Sequence, residues 1–231
     1  MHILPMLDLI AKNTPSFMDQ LSGPIRNKVA QAGTVIRYRD GQLIHNRGDR
    51  KPGISIVVAG AVQVGVFGAD GNFIITSNLG VGQTFGEFTL FAGLPRTHDI
   101  TAAGETEINQ ISAAAFERLY DQEPDISRAL LSTSLVRAHG LLEMMDAMRR
   151  LPMRERTAKV LFTLLQTTGG AQSFNYRQSD LASVLGVSRT SLSKALKQLR
   201  ALGLIETAYG QINIPDSKKM RRWVTEHCSP S

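Results

Sequence analysis

The sequence predicts an α+β chain: a β-sandwich or barrel, then a long helix, then a helix-turn-helix with a small β-wing. Three observations predict it. Between Thr34 and Ile111 the apolar residues alternate or come in short runs, with turn signals about every 8 to 12 residues. Pro124 to Met148 runs without an internal proline and with one late glycine, Gly140. Residues 151 to 231 hold 12 Lys and Arg against 5 Asp and Glu, while residues 1 to 150 hold 14 against 15. The basic excess therefore belongs wholly to the C-terminal third, the footprint of a part that meets phosphates. A solvated basic surface is the plain alternative, and the helix pattern below decides between them.

Ahead of the β-rich block, Leu4 to Ile10 and Ser16 to Gln31 read as short helices. The block is punctuated by Asp40-Gly41, Arg47-Gly48-Asp49, Gly60, Gly68 to Gly71, Gly80-Val81-Gly82 and Gly104. Ile54 to Val58 and Val62 to Val66 are its clearest strands. Asp70-Gly71 reads as a hairpin turn, since glycine supplies the positive φ of tight primed turns.

Ser112 can cap a short helix from Ala113 to Tyr120. The long helix that follows carries two apolar rows. Leu131, Leu135, Ala138, Leu142 and Met145 keep a 4-3-4-3 spacing, the seam of a two-stranded coiled coil, and point to a parallel homodimer. Ile126, Leu130, Leu141, Met144 and Met148 form a neighbouring row able to lie on the helix's own β-domain; one wide stripe buried in a single core is the alternative. Leu151-Pro152 ends the helix, because proline disfavours helical geometry in the residue before it. The expected organisation is residues 1–123 as a β-domain, 124–151 as dimerisation helix and hinge, and 152–231 as a DNA-binding domain.

A helical run from Arg154 to Leu165 leads to a turn at Thr167 to Gly170 and then to Gln178 to Leu196, which has helix-turn-helix spacing. Small Ala182 permits close helix approach, Gly186 makes the left-handed turn, and Ser188 caps the second helix. Leu181, Leu185, Val187, Leu192 and Leu196 face inward. Ser188, Arg189, Thr190, Ser191, Ser193, Lys194 and Lys197 on the second helix, with Gln178 and Tyr209, are the candidate DNA contacts. Gly203 to Glu206 and Gly210 to Ile214 read as a two-stranded wing around Tyr209. A helix-turn-helix can be mere packing, but here it coincides with the basic excess.

Composition narrows the function classes. With 231 residues, 42% hydrophobic and 20% charged, the chain can bury a sizeable core. No window approaches the ~20 apolar residues of a membrane span. Met1 to Lys12 lack the basic region of a secretory signal and carry Asp8, so a cytoplasmic location is expected. Cys228 is the sole cysteine, which rules out an internal disulfide or a thiolate metal centre. No nucleophile–base constellation, P-loop or kinase motif is present, and the chain reads as a non-enzyme.

Phe85 to Thr97 sets a Gly-Glu pair before an Arg-Thr pair, with a short apolar helix between them. A guanidinium and free backbone N–H groups suit a phosphate, and a carboxylate accepts from sugar hydroxyls. The alternative is that Glu87 and Arg96 simply pair with each other.

Over about residues 15 to 215 the chain resembles the cyclic-AMP receptor protein/FNR (Crp/Fnr) family of bacterial transcription regulators. The resemblance rests on the β-domain glycines, the cassette Gly86-Glu87 to Arg96-Thr97, the long helix and the winged helix-turn-helix. It implies a cyclic-nucleotide-binding β-roll (jelly roll) and a homodimer acting on a pseudo-palindromic DNA operator with RNA polymerase. By resemblance Glu87 takes the ribose 2′-hydroxyl, Arg96 the cyclic phosphate and Thr97 a further phosphate contact. Arg137 matches an arginine that pairs with the cassette Glu, and Gly86, Phe88, Leu141 and Leu142 complete the expected effector site.

Two departures shape the expectation. Leu141-Leu142 stand where the cyclic-AMP receptor protein has a Thr-Ser pair, so the base loses its polar partners and cyclic AMP is discounted. Thr97 also occurs in cyclic-GMP-selective domains, and His98 replaces a usually small residue. On the recognition helix the family's Arg-Glu-x-x-x-Arg becomes Arg189 to Lys194, which keeps a guanine reader but lacks the cytosine acceptor. A cyclic nucleotide, cyclic AMP or cyclic GMP, is thus the expected effector, and no metal is expected. A non-nucleotide effector such as haem, or none, is the alternative, although none of the five histidines forms a pair at ligand spacing.

Overall fold

The computed structural model describes residues 15–68, 73–167, 173–175, 181–182, 185–208 and 210–228. The expected helix at Leu4 to Ile10, the Asp70-Gly71 turn, the Thr168 to Gly170 turn, Gln178, Tyr209 and the Met144 side chain lie outside the described residues. The chain divides into two compact units between Ala138 and His139, inside a helix that runs unbroken through both.

The first unit opens with a 3-10 turn, Met18–Gln20, and helix α1, Gly23–Gln31. Six strands follow: β1 Thr34–Tyr38, β2 Leu43–His45, β3 Gly53–Phe67, β4 Phe73–Gly80, β5 Thr84–Phe85 and β6 Asp99–Ser112. They form one antiparallel sheet in the order β1-β6-β3-β4, with β2 also on β6 and β5 also on β3. The many short strands expected from the glycines are a correction. Ile54 to Val58 and Val62 to Val66 are one 15-residue strand, and β6 is 14 residues long. Gly60 and Gly104, both at φ +75°, are not turns but sit where the β3–β6 pairing shifts register. Positive-φ glycine serves a bulge as readily as a turn, so the ladder kinks and resumes. A Cβ on Gly60 would lie 2.4 Å from the Glu105 carbonyl oxygen.

Helix α2 (Glu87–Ala92) interrupts the strands, and helix α3 (Ala113–Gln122) follows them, its first turn capped by Ser112 Oγ accepting from Ala115 N–H. Phe17, Ile54, Ile111, Phe116, Ile126 and Leu130 fill the core between sheet and helices. A second cluster, including Val57, Val62, Phe85, Ile100 and Ile108, fills the roll itself.

Helix α4 spans Pro124–Arg150. Ile126, Ala129, Leu130 and Thr133 are its buried face in the first unit, and Thr133 Oγ1 accepts from Gln20 Nε2 at 2.7 Å. Two members of the expected inward row, Leu141 (41% exposed) and Met148 (39%), are not covered. From Leu130 the inward face passes through Thr133 to Arg137, and the first unit ends at Ala138. Leu131, Leu135, Ala138, Leu142 and Met145 are all exposed, Leu131 and Leu142 at 61% and 65%.

The second unit contains α5 (Met153–Thr167), a three-stranded antiparallel sheet of β7 (Ser173–Asn175), β8 (Glu206–Ala208) and β9 (Gln211–Asn213) in the order β7-β9-β8, α6 (Arg189–Ala201) and α7 (Ser217–Cys228). Leu161, Leu181, Leu185, Leu192, Leu199, Ile212 and Met220 are wholly buried in its core, and Val187 packs beside them. Gly186 takes φ +65° at the turn. Three details differ from the sequence reading. Thr167 still belongs to α5, the wing has a third strand, and Leu204 and Ile205 are core residues preceding β8. Among the described residues no helix is long and apolar enough to cross a membrane.

Candidate functional site

The cassette is built by the tight passage from β5 into α2. Gly86 sits at φ +109°, and a Cβ there would meet the Gly53 carbonyl oxygen at 2.4 Å, so only glycine lets β5 turn into the helix beside β3. Thr89 Oγ1 donates back to the Gly86 carbonyl at 2.8 Å, and Gly93 at φ +62° ends the helix. This geometry fixes the start of Glu87. Its Oε1 accepts from Thr84 Oγ1 at 2.5 Å and lies 3.7 Å from Arg137 Nη1.

Arg96 is held by its backbone. Arg96 N–H donates to the Asp49 carbonyl at 2.9 Å, and its own carbonyl accepts from Gly48 N–H at 2.8 Å. The loop after β2 is thereby tied to the far end of the cassette. Burial lowers the pKa of the guanidinium, against the pull of Asp49 and Glu87. The ion-pair partner of Glu87 is Arg137, so the alternative in which Glu87 and Arg96 merely pair with each other does not hold. Two guanidinium nitrogens, Arg96 Nε and Arg137 Nη2, are buried with no hydrogen-bond partner. A buried cationic donor without an acceptor costs about 1–3 kcal/mol or more, and an anion's oxygens would relieve that cost.

Gly86, Glu87, Arg96 and Arg137 are thus brought together. Thr97 is exposed at the edge, its hydroxyl 2.9 Å from His98 Nδ1, and burial followed by the Arg47 cation lowers the His98 imidazole. Phe88 is 57% exposed, and Leu141 and Leu142 belong to the second unit.

Sequence reasoning missed His45. Its Nε2 is 3.2 Å from Ser55 Oγ, and its ring meets Phe85 edge-on at 5.6 Å. Burial, then the Arg96 cation, pushes it down to about 4. The only signal was a titratable residue inside the apolar stretch Leu43-Ile44-His45, which a lone histidine rarely makes informative. Among the described residues no group of three or more His, Cys, Asp or Glu is placed to hold a metal ion.

In the second unit Ser188 Oγ accepts from Ser191 N–H at 3.2 Å, capping α6. Arg189, Thr190, Lys194 and Lys197 are exposed and Ser193 is half-buried, all opposite the buried Leu192, Ala195, Leu196 and Leu199. Among the described residues, none of the three cations is held in an ion pair, which leaves them available to a phosphate or a base edge.

Comparison with known proteins matches both units. A family model for the cyclic nucleotide-binding domain covers residues 35–123, and one for the Crp-like helix-turn-helix domain covers residues 155–223. A CRP-like cAMP-activated global transcriptional regulator of Mycobacterium tuberculosis (strain ATCC 25618 / H37Rv) is 25% identical over 193 residues, covering 81% of this chain and 86% of that protein. The cAMP-activated global transcriptional regulator CRP of Escherichia coli O157:H7 is 27% identical over 183 residues, 77% of this chain and 87% of that one. Among solved structures, CprK complexed with OCPA has a TM-score of 0.67 at 14% identity, covering 88% of this chain and 94% of that one. The c-di-GMP-responsive global regulator CLP of Xanthomonas campestris has a TM-score of 0.64 at 20% identity, covering 84% and 99%. The structural likenesses establish a shared fold. With both family models matched in order along the chain and these relatives spanning most of it, the chain belongs to the Crp/Fnr family: it is a DNA-binding transcription regulator with an effector-binding β-roll, not an enzyme.

Proposed function

We propose that the β-roll takes a cyclic nucleotide and that its occupancy sets the DNA affinity of the winged helices. The observation that carries this reading is the pair of buried, unpartnered donors, Arg96 Nε and Arg137 Nη2, on two guanidiniums that both feel the Glu87 carboxylate. A cyclic phosphate would supply the missing acceptors at Arg96, with Thr97 at the edge and Gly86 keeping the backbone close. Glu87, steadied by Thr84 and Arg137, would accept from a ribose hydroxyl. Leu141 and Leu142 are assigned to the base on sequence grounds alone; neither side chain has a hydrogen-bonding group, so affinity is assigned to phosphate and sugar, and both cyclic AMP and cyclic GMP are candidate effectors. The residues fit the ligand class without a metal.

The exposed row Leu131, Leu135, Ala138, Leu142 and Met145 is the proposed seam of a parallel homodimer. Two recognition helices then read the half-sites of a pseudo-palindromic operator. Arg189 is assigned a guanine, while Ser188, Thr190, Ser191, Ser193, Lys194 and Lys197 contact base edges or phosphates. Gln178 and Tyr209 join them on sequence grounds alone. On this reading residues 1–123 are the effector domain, 124–151 the dimerisation helix and hinge, and 152–231 the DNA-binding domain. RNA polymerase is then the partner on DNA, and the bacterial cytoplasm the place of action.

A ligand shifts an equilibrium only as far as it favours one state over the other. The test is a DNA-binding titration with and without each nucleotide, on a duplex selected by the protein from a random pool. A change in DNA affinity that is absent in Arg96→Ala supports the reading. Equal DNA affinity with and without either bound nucleotide rules out gating.

A further inference from the structure

Helix α7 is not anticipated by the sequence reading, and base recognition by α6 leaves it without a role. It is 12 residues long, and Met220, Val224 and Cys228 bury one face in the core of the second unit. Trp223 packs beside that face, with the Arg154 guanidinium over its ring at 5.7 Å. The opposite face carries Lys218, Arg221, Arg222 and Thr225, spaced as neighbours on one helical surface and all exposed, with one acid, Glu226, at its C-terminal end. At its N-terminus the Lys218 and Lys219 N–H groups are already satisfied, both donating to Asp216 Oδ1 at 2.9 Å.

The position of this stripe is fixed by Lys219. Its Nζ donates to the Leu202 carbonyl at 2.8 Å and to the Gly203 carbonyl at 3.3 Å, closing the C-terminal end of α6. The start of α7 therefore adjoins the end of the recognition helix. Exposed Lys194, Lys197 and Arg200 lead along α6 toward that junction. From residue 185 to residue 228 there are eight Lys and Arg against three Asp and Glu. Of the three acids, Asp216 is committed to the turn at the helix start, Glu206 accepts from Asn213 Nδ2 at 3.0 Å, and Glu226 is exposed on α7, leaving the stripe a net positive charge. Among the described residues, Lys218, Arg221 and Arg222 are held in no ion pair. Three such cations on a rigid helix, contiguous with a DNA-reading helix, complement a polyanion rather than an apolar partner.

We infer that Lys218, Arg221 and Arg222 form a second DNA-binding element, which takes phosphates of the duplex flanking the bases read by α6. This rests on the DNA-binding reading above. A recognition helix presents its N-terminal residues to base edges. The 13 residues of α6 put its far end about 20 Å from those residues. The stripe would meet backbone outside the half-site, so its contribution depends on DNA length and salt but not on sequence.

The experiment compares two duplexes carrying one site selected by the wild-type protein, one trimmed to that site and one extended by about one and a half helical turns on each side. Wild type should bind the extended duplex more tightly and with a steeper salt dependence. The triple variant Lys218→Ala/Arg221→Ala/Arg222→Ala should bind both alike, with a salt slope on the extended duplex shallower by roughly 0.9 for each phosphate no longer neutralised. The charge-keeping variant Lys218→Arg/Arg221→Lys/Arg222→Lys should behave as wild type, which separates charge from folding. A triple variant that keeps the wild-type slope and length preference overturns the inference. So does one that keeps both but loses capture of an acidic protein partner, which would reassign the stripe to protein binding. A folded wild-type dimer that binds neither duplex would instead overturn DNA binding itself.

Discussion

Arg137 of α4 reaches the Glu87 carboxylate of the cassette, Nη1 to Oε1 at 3.7 Å, while its Nη2 is buried without a partner. The pair ties the effector cassette to the helix that runs on into the second unit. One cation thus meets the carboxylate and still has a donor to spend.

Replacing Arg137 by Ala should cost the ligand-free protein no more than about 1 kcal/mol, since a partly exposed ion pair contributes little. Nucleotide affinity should fall about tenfold or more, because Glu87 loses its steadying partner and the site loses a donor. Thermal unfolding and calorimetric titration on the same samples check both expectations. A large stability loss with unchanged affinity would make the pair purely structural.

His45 gives a pH dependence of defined sign. Its pKa is pushed down from 6.5 to about 4 in the folded protein, so the unfolded chain takes up a proton first as pH falls. The stability that neutral His45 contributes is intact above about pH 6.5 and is lost progressively toward pH 4. His45→Gln should therefore lose less of its thermal midpoint between pH 7 and pH 5 than wild type does. Equal losses would show that the imidazole is not held neutral by its surroundings.

The exposed row on α4 is tested by Leu135→Asp/Leu142→Asp, two positions 59% and 65% exposed in the single chain. Placing carboxylates in a coiled-coil seam should yield a monomer in sedimentation while leaving circular dichroism unchanged. A dimer that persists would move the interface elsewhere.

Arg189→Ala should weaken binding to the selected site by about 1–3 kcal/mol while changing non-specific binding much less. Competition titration against random-sequence duplex measures the two together. An equal loss on every sequence would reduce Arg189 to a phosphate-binding role.

Much of this was legible in the sequence, for physical reasons visible in particular residues. Ser112 and Ser188 announced their helices because a capping hydroxyl is a local event, and both accept the expected N–H. Gly86-Glu87 and Arg96 announced the cassette because its chemistry is carried by residue type. Gly60 and Gly104 misled, since left-handed backbone looks the same in sequence whether the chain turns back or only bulges. The inward face of α4 past Leu130 escaped the apolar pattern because it passes through Thr133 to a charged residue, Arg137, whose partner Glu87 lies 50 positions away and was reached only through the family resemblance. Helix α7 hid behind four cations and ended on Cys228, a buried thiol that packs as a small apolar side chain.

The central claim is that Arg96 takes the phosphate of a cyclic nucleotide. It is tested most directly by calorimetric titration of wild type and Arg96→Ala with cyclic AMP and with cyclic GMP. Micromolar binding of at least one nucleotide to wild type is expected, with none to the variant and closely similar unfolding of the two ligand-free proteins. Equal binding by both proteins, or no binding of either nucleotide to a folded wild type that still binds DNA, would contradict it.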